Sequence, residues 1–460
     1  MAKQQAPVRK NETVQLTFED LTHEGNGVGK IDGYPIFVPL GLPGEKADVK
    51  VVKVNKRFAY GKLLHVHKES KHRVTPPCDV YYKCGGCHLQ HMTYEMQLEM
   101  KRNQVKNVMQ KVAHLPDVPV HPVLGMEDPW RYRNKIQIPV GEKDGELITG
   151  FYQPRSHRII EDMETCVIQG KLGDEIVEAV RQIGTELGIR AYDEQAHRGE
   201  LRHIIVRTAY TTNEAMLVLV TRTEKLTKQK ELVEQVTKQF PEIKSIIHNI
   251  NSQKTNVILG KKSHTIYGDD YIYDKIGDLE FGISAQSFYQ VNPTQTKVLY
   301  DKALEYANVG KDDIVIDAYC GIGTISLFLA QKAKKVYGVE IVPQAIDDAK
   351  ANAKRNHKDN VEFVVGEAEK VMPWWTKQGL RPDVIVVDPP RKGCDASLLE
   401  AMIAMDPKRI VYVSCNPSTL ARDLRILEDG GYRTQEVQPV DMFSQTAHVE
   451  CLVWMSLVDE

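Results

Sequence analysis

Hydrophobic and polar positions follow one rhythm in the first third of the chain and another in the last. Residues 13–18, 34–38, 47–54 and 58–66 are short alternating runs rich in β-formers, separated by Gly25-Asn26-Gly27 and Pro43-Gly44. Regular short strands with glycine turns predict a small β-barrel over residues 1–70. The stretch 71–285 is mixed and predicts an α+β domain without internal repeats. Its helix candidates are 89–114, 171–187 and 227–240, and its strand candidates are 151–152, 201–209, 216–221 and 245–251. From Tyr289 the pattern becomes alternating buried strands and helices. The strands are expected at 314–317, 335–339, Val361–Val365, Val384–Val387, 410–413 and 450–454, which predicts an α/β, doubly wound sheet over residues 286–460.

Composition narrows the class. At 460 residues and 42 % hydrophobic content the chain has room for about three globular domains. No apolar run approaches the ~20 residues of a membrane span, and the first ten residues lack an apolar export segment. A cytoplasmic, monomeric protein is expected. Eight cysteines are too few for a disulfide scaffold in a chain of this size and are expected to be reduced.

A net charge of -2 says little about partners, but its distribution says more. Between residues 44 and 73 there are nine Lys or Arg against three acids. A solvated face explains such lysines in most proteins. Here Phe58 and Tyr60 stand beside Lys56 and Arg57, the combination by which oligonucleotide-binding barrels hold RNA. The run 130–135 alternates as well. As a strand it would place Trp130, Tyr132 and Asn134 on one face and Arg131, Arg133 and Lys135 on the other. A solvated edge and an RNA surface account for it equally.

Cys78, Cys84 and Cys87 lie within ten residues, stiffened by Pro76-Pro77 and loosened by Gly85-Gly86. Three soft ligands at this density suit a metal centre whose fourth ligand comes from elsewhere, and Cys166 is the candidate. Zinc, completed by His88 or His91, is the alternative, although the unpaired spacing leans towards iron–sulfur.

Candidate chemistry concentrates at the strand ends of the last domain. Residues 318–323 form a glycine loop, and Glu340 lies seventeen residues after Gly323, at the distance where a carboxylate grips a ribose. Ser326 replaces the third glycine of a dinucleotide fingerprint, which favours S-adenosylmethionine, a nucleoside without a pyrophosphate. Glu367, Asp388-Pro389-Pro390-Arg391, Cys415 and Glu450 fall at further strand ends. Cys415 follows a β-rich run and precedes the turn Asn416-Pro417. By itself it reads as a nucleophile or as a small hydrophobe. Cys320 and Cys394 are expected to be structural.

Taken together, these motifs strongly resemble the bacterial RNA uracil-5 methyltransferases, in particular the ribosomal-RNA branch with an N-terminal TRAM barrel and a four-cysteine iron–sulfur cluster. The resemblance covers essentially the whole chain. It rests on the barrel, the Cys78/Cys84/Cys87/Cys166 spacing, the run from Phe288 to Asn292, Asp317 to Thr324, Asp388 to Arg391, Ser414 to Pro417, and Asp441-Met-Phe with His448-Val-Glu450. It implies S-adenosylmethionine held by Gln290, Tyr319, Glu340 and Asp388, with Glu367 a further contact. It also implies Cys415 as nucleophile, Glu450 as base, a [4Fe–4S] cluster on the four cysteines, and 23S ribosomal RNA as substrate, with transfer RNA as the alternative.

Three other readings weigh less. An adenine-amine methyltransferase would carry an aromatic after Asp-Pro-Pro, where this chain has Arg391. A cytosine-5 methyltransferase would carry a cysteine at the position of Pro390. A non-catalytic RNA-binding iron–sulfur protein would have no use for Cys415 together with Glu450.

Overall fold

The computed structural model describes residues 6–161, 163 and 165–458. The barrel is built from β1 (Thr13–Leu21), β2 (Gly27–Ile31), β3 (Tyr34–Val38), β4 (Lys46–Val54) and β5 (Ala59–Lys68), closed in the order β1-β2-β3-β5-β4. Alternation sorts its side chains: Leu16, Phe18, Ile36, Val38, Ala47, Val49 and Val51 fill the inside, and the intervening lysines face water. Gly61 is required on β5, since a Cβ there would sit 2.3 Å from the Val49 side chain. One pair of the charges counted above is internal. Arg73 grips buried Glu45 through Nε to Oε1 (2.5 Å) and Nη2 to Oε2 (2.7 Å), tying the exit segment to the barrel. The surviving excess therefore lies on the outer face.

Helix α1 (Tyr94–Lys111) begins later than its apolar pattern predicts. The residues ahead of it are spent on the last part of the chain: His88 N–H and Leu89 N–H both donate to Gln445 O. A six-stranded sheet follows, made of β6 (Lys135–Lys143), β7 (Glu146–Thr149), α2 (Lys171–Glu186) on one face, β8 (Leu201–Thr208), β9 (Ala215–Thr221), α3 (Gln229–Gln239), β10 (Ile243–Ile250) and β11 (Lys262–Gly268). Its order is β11-β10-β9-β8-β6-β7, with every residue of β9 buried.

The structure departs from two expectations in this region. Residues 130–134 are not a strand, because Arg131 takes φ 51°, outside extended backbone. Its guanidinium bonds Asp174 and the carbonyl of Cys166 instead of facing RNA. Residues 151–152 form only an isolated bridge between Tyr152 and Ile159. A hairpin, β12 (Tyr271–Ile276) and β13 (Leu279–Ser284), was not anticipated.

The last sheet runs α4 (Pro293–Ala307), β14 (Ile314–Ala318), α5 (Thr324–Ala330), β15 (Lys335–Glu340), α6 (Pro343–Arg355), β16 (Val361–Val365), α7 (Ala368–Lys377), β17 (Val384–Val387), α8 (Ala396–Met405), β18 (Arg409–Ser414), α9 (Pro417–Asp429), β19 (Tyr432–Val440) and β20 (Glu450–Leu457). The strand order is β16-β15-β14-β17-β18-β20-β19. The first five are parallel and mainly apolar, with a core on each face, as expected of a doubly wound sheet. The polar sequence of β19 hid it from view. Its Val437 and Val440 are covered by bridges to Val120 and Leu124. Strand β20 is antiparallel to both neighbours. That reversal puts Glu450, its first residue, at the same edge as the carboxyl ends of the parallel strands.

Candidate active site and cysteine cavity

The carboxyl edge of the sheet gathers the expected residues in spatial order. Moving across β15, β14, β17, β18 and β20, the strand ends carry Glu340, Tyr319, Asp388, Cys415 and Glu450. Ser414 pairs with Cys451 across the antiparallel β18–β20 ladder, so the next step of the register sets Cys415 against Glu450. Gln290, just before α4, joins them. All six line one cavity of about 1000 Å³, together with Glu367 and Arg391.

Local backbone explains each placement. Tyr319 turns out of β14 at φ 66°, which opens the loop 319–323, and its hydroxyl donates to Glu369 Oε1 at 2.9 Å. Glu340 accepts from the backbone N–H of Gly321 (3.3 Å) and of Val342 (3.0 Å), so its carboxylate is held beside the glycine loop. Gln290 is buried, and its carbonyl accepts from the Asn134 side chain. Asn416 caps α9 by accepting from Ser418 N–H, which fixes the turn behind Cys415. Cys415 is half-buried, open enough to meet a substrate.

Charge in the cavity is predominantly acidic. Burial raises the carboxyls of Asp388 and Glu450 well above the usual carboxylate range, and for Glu450 the neighbouring Asp388 charge adds to the rise while Arg391 opposes it. Burial, then the charges of Glu450 and Asp388, push the Cys415 thiol up to about 11, with Arg391 pulling the other way. A cavity that raises several acids at once favours a ligand that brings positive charge. Asp317, one strand residue behind the loop, is raised to about 7 chiefly by burial and accepts from Ser326 Oγ.

The other thiols separate cleanly. Cys320 and Cys394 are buried, as is Cys451 beside Glu450. Thr324 bonds the Tyr300 hydroxyl at 3.1 Å and does not line the cavity. Cys78, Cys84, Cys87 and Cys166 surround a second cavity of about 320 Å³, with Arg133 and Lys135 in its wall. Gly86 N–H donates to Cys84 Sγ at 3.3 Å, and Arg131 carries the Cys166 loop through the Cys166 carbonyl. Among the described residues no three of His, Cys, Asp or Glu stand close enough to hold a single metal ion.

Neither histidine considered for zinc reaches this cavity. His91 Nδ1 pairs with the Tyr81 hydroxyl at 2.7 Å, and His88 Nδ1 accepts from Ala447 N–H. Four thiols from two loops therefore line this cavity, with Arg133 and Lys135 beside them.

Phe288, exposed over the cofactor cavity, and Phe443 line it as well; both belong to runs that carried the resemblance, with no role assigned to either ring. Lys101 and Asp441 form a fully buried ion pair, with Tyr94 donating to Asp441 at 2.6 Å. That cluster fixes α1 to the segment leading into Glu450. Only the long-range fold brings together residues this far apart in the chain.

Comparison with known proteins identifies the family. Residues 93–458 match the tRNA (uracil-5-)-methyltransferase family, and residues 7–64 match the TRAM domain. An uncharacterized RNA methyltransferase of Oceanobacillus iheyensis is 66 % identical over 99 % of both chains. One from Halalkalibacterium halodurans is 58 % identical over 99 % of this chain and 100 % of that protein. Among solved structures, the Pyrococcus abyssi tRNA (uracil-54, C5)-methyltransferase in complex with S-adenosyl-L-homocysteine superimposes with a TM-score of 0.77. It is 28 % identical, with 96 % of this chain and 100 % of that chain covered. This protein belongs to the RNA uracil-5 methyltransferase family, with a TRAM domain ahead of an S-adenosylmethionine-dependent methyltransferase fold.

Proposed function

We propose that the protein methylates carbon 5 of a uridine in 23S ribosomal RNA through a covalent adduct between Cys415 and carbon 6 of the base. The observation that carries this reading is the register that sets Cys415 against Glu450 at the edge of the cofactor cavity. When bound, S-adenosylmethionine supplies an electrophilic methyl group; Gln290, Tyr319, Glu340 and Asp388 hold it, with Glu367 at the cavity wall.

Carbon 5 of uracil is a weak nucleophile. The Cys415 thiolate would add to carbon 6 and push its electron pair onto carbon 5, which would take the methyl group as the methyl–sulfur bond of the donor breaks and S-adenosylhomocysteine leaves. The Glu450 carboxylate then takes the carbon-5 proton. The returning electron pair re-forms the ring double bond and expels Cys415 as thiolate. Arg391 favours the ionised forms of both residues. The target base must leave its stack to reach this edge, at a cost of a few kcal/mol.

The chain divides its labour between a barrel over 1–70 that holds RNA, a central unit over 71–285 and the catalytic unit over 286–460. Phe37, Phe58 and Tyr60 form a ring cluster on the barrel with centroids 5.4–6.0 Å apart, beside the lysine-rich face. Cys78, Cys84, Cys87 and Cys166 would hold a [4Fe–4S] cluster whose contribution is structural, locking two loops together. Ribosomal RNA is favoured because barrel and cysteine set accompany that branch. Transfer RNA is the second reading, favoured by the solved relative that acts on tRNA.

Incubation with methyl-labelled S-adenosylmethionine and separated 23S and transfer RNA from cells lacking the protein tests both. Labelled 5-methyluridine in 23S RNA is expected. Label confined to transfer RNA selects the second reading, and label in another nucleoside overturns the reaction.

A further inference from the structure

Cys415 lines two cavities. Besides the cofactor cavity, a second space of about 690 Å³ reaches the same thiol, and Arg391 and His448 are shared between the two. The catalytic unit supplies only part of its wall. The barrel turn between β1 and β2 contributes His23, Glu24 and Asn26, and the segment after the metal-type cysteines contributes His88.

This wall is built in place. Gly25 takes φ 82°, and a Cβ on it would lie 2.5 Å from Leu89 Cδ2, so the turn is seated directly on the segment that follows His88. Thr22 N–H donates to Asn26 O at 2.8 Å and Gly25 N–H to Thr22 O at 2.9 Å, closing the turn. His88 is pinned by its N–H to Gln445 O and by Ala447 N–H to its Nδ1. Its ring meets that of His448 edge-on at 6.1 Å. Glu24 is exposed within this wall, its only described side-chain bond coming from Asn26 Nδ2 at 3.3 Å.

The two spaces differ in chemistry. The cofactor cavity presents carboxylates. This one presents imidazoles, amides, one carboxylate and Arg391, which also acts on Glu450 in the cofactor cavity. Ring faces for stacking, amide and carboxylate groups for base edges, and an arginine for phosphate are what single-stranded RNA recognition uses. A uridine placed at Cys415 has a covalent neighbour on each side, and the adjoining space is large enough to receive one of them.

We infer that the cavity between the β1–β2 turn of the barrel and Cys415 is a nucleotide-reading subsite, in which Glu24 and Asn26 select the base next to the target uridine. The inference rests on the uridine reading above. Glu24 is an acceptor only, so it selects a base that presents an amino or imino N–H at the facing edge; the Asn26 amide supplies both a donor and an acceptor. The barrel thereby sets sequence preference as well as general affinity.

The test uses the full-length protein, S-adenosylmethionine and a hairpin RNA library with one 5-fluorouridine and randomised flanking positions. Fluorine cannot leave as the carbon-5 proton does, so the adduct on Cys415 persists and captured RNA can be sequenced. Wild-type protein is expected to enrich amino-bearing bases at one flanking position. Glu24→Gln and Asn26→Ala are expected to flatten that enrichment about 10-fold, with affinity for S-adenosylhomocysteine reporting an intact fold. Enrichment that survives in both variants overturns the subsite while leaving the uridine chemistry standing. Adducts that form without any flanking preference in the wild type do the same. Failure of the wild type to form any adduct overturns both.

Discussion

Cysteines line cavities in two regions of this protein, the catalytic edge and the loops after the barrel, and the two regions are built by opposite means. At the catalytic edge, Cys415 ends a regular strand, and its partners sit on neighbouring strands whose spacing is set by the sheet. Around the smaller cavity, Cys78, Cys84, Cys87 and Cys166 come from irregular loops held by turns, Arg131 and Asp174. A sheet positions side chains with the precision a reaction needs and leaves one thiol accessible. Loops bring four thiols around one cavity and are held by hydrogen bonds outside any regular strand. Loss of a cysteine should therefore cost chemistry in one place and cohesion in the other.

The largest expected effect is on rate. Cys415→Ala should lower methyl transfer by at least about 10³-fold while leaving S-adenosylhomocysteine binding intact, measured by label transfer and calorimetry. Glu450→Gln should lower turnover by on the order of 10²–10⁴-fold and, unlike the cysteine variant, accumulate a protein–RNA adduct on gels. Equal loss without adduct would remove Glu450 from the proton-transfer step. If the four cysteines hold the proposed cluster, Cys87→Ser should act the other way round, lowering iron content and thermal stability with little change in cofactor affinity.

The seam between the two regions should register next. Lys101→Met leaves Asp441 buried without its cation, which should cost about 3–5 kcal/mol in denaturant unfolding. Restoring neutrality with Asp441→Asn in the same chain should recover part of that loss.

Legibility followed the same division. The strands β14 to β18 were readable because each is an apolar run between helices, and their ends predicted where chemistry would lie. Cys415 became interpretable only through its neighbours, since the same thiol inside an apolar site is inert. The antiparallel placement of β20 was not readable, although it is what brings Glu450 to the edge. Strand β19 was missed because Arg433, Gln435, Glu436 and Gln438 break up its apolar residues. The run 130–135 misled because alternation alone does not reveal a left-handed turn at Arg131. The cavity wall made by Glu24 and His88 had no local signal, being created by the barrel docking against the segment that carries Leu89.

A smaller effect comes from pH. Burial raises Glu450 and Cys415, so turnover should rise with pH from about 6 to 8 as the base ionises, and Arg391→Ala should move that rise to higher pH. Asp317 is also raised, to about 7, above the unfolded value near 3.9. The native state then holds the extra proton between those values. Its contribution to stability is present below about 4 and is lost as pH rises through about 7. Asp317→Asn should flatten that decline in melting scans.

The most direct measurement is peptide mass spectrometry of the wild-type protein after reaction with S-adenosylmethionine and 5-fluorouridine-containing 23S RNA fragments. The account predicts a methylated fluorouridine nucleotide on the peptide carrying Cys415 and on no other cysteine. An adduct at Cys320, Cys394 or Cys451, or methylated uridine released with no covalent intermediate, would contradict it.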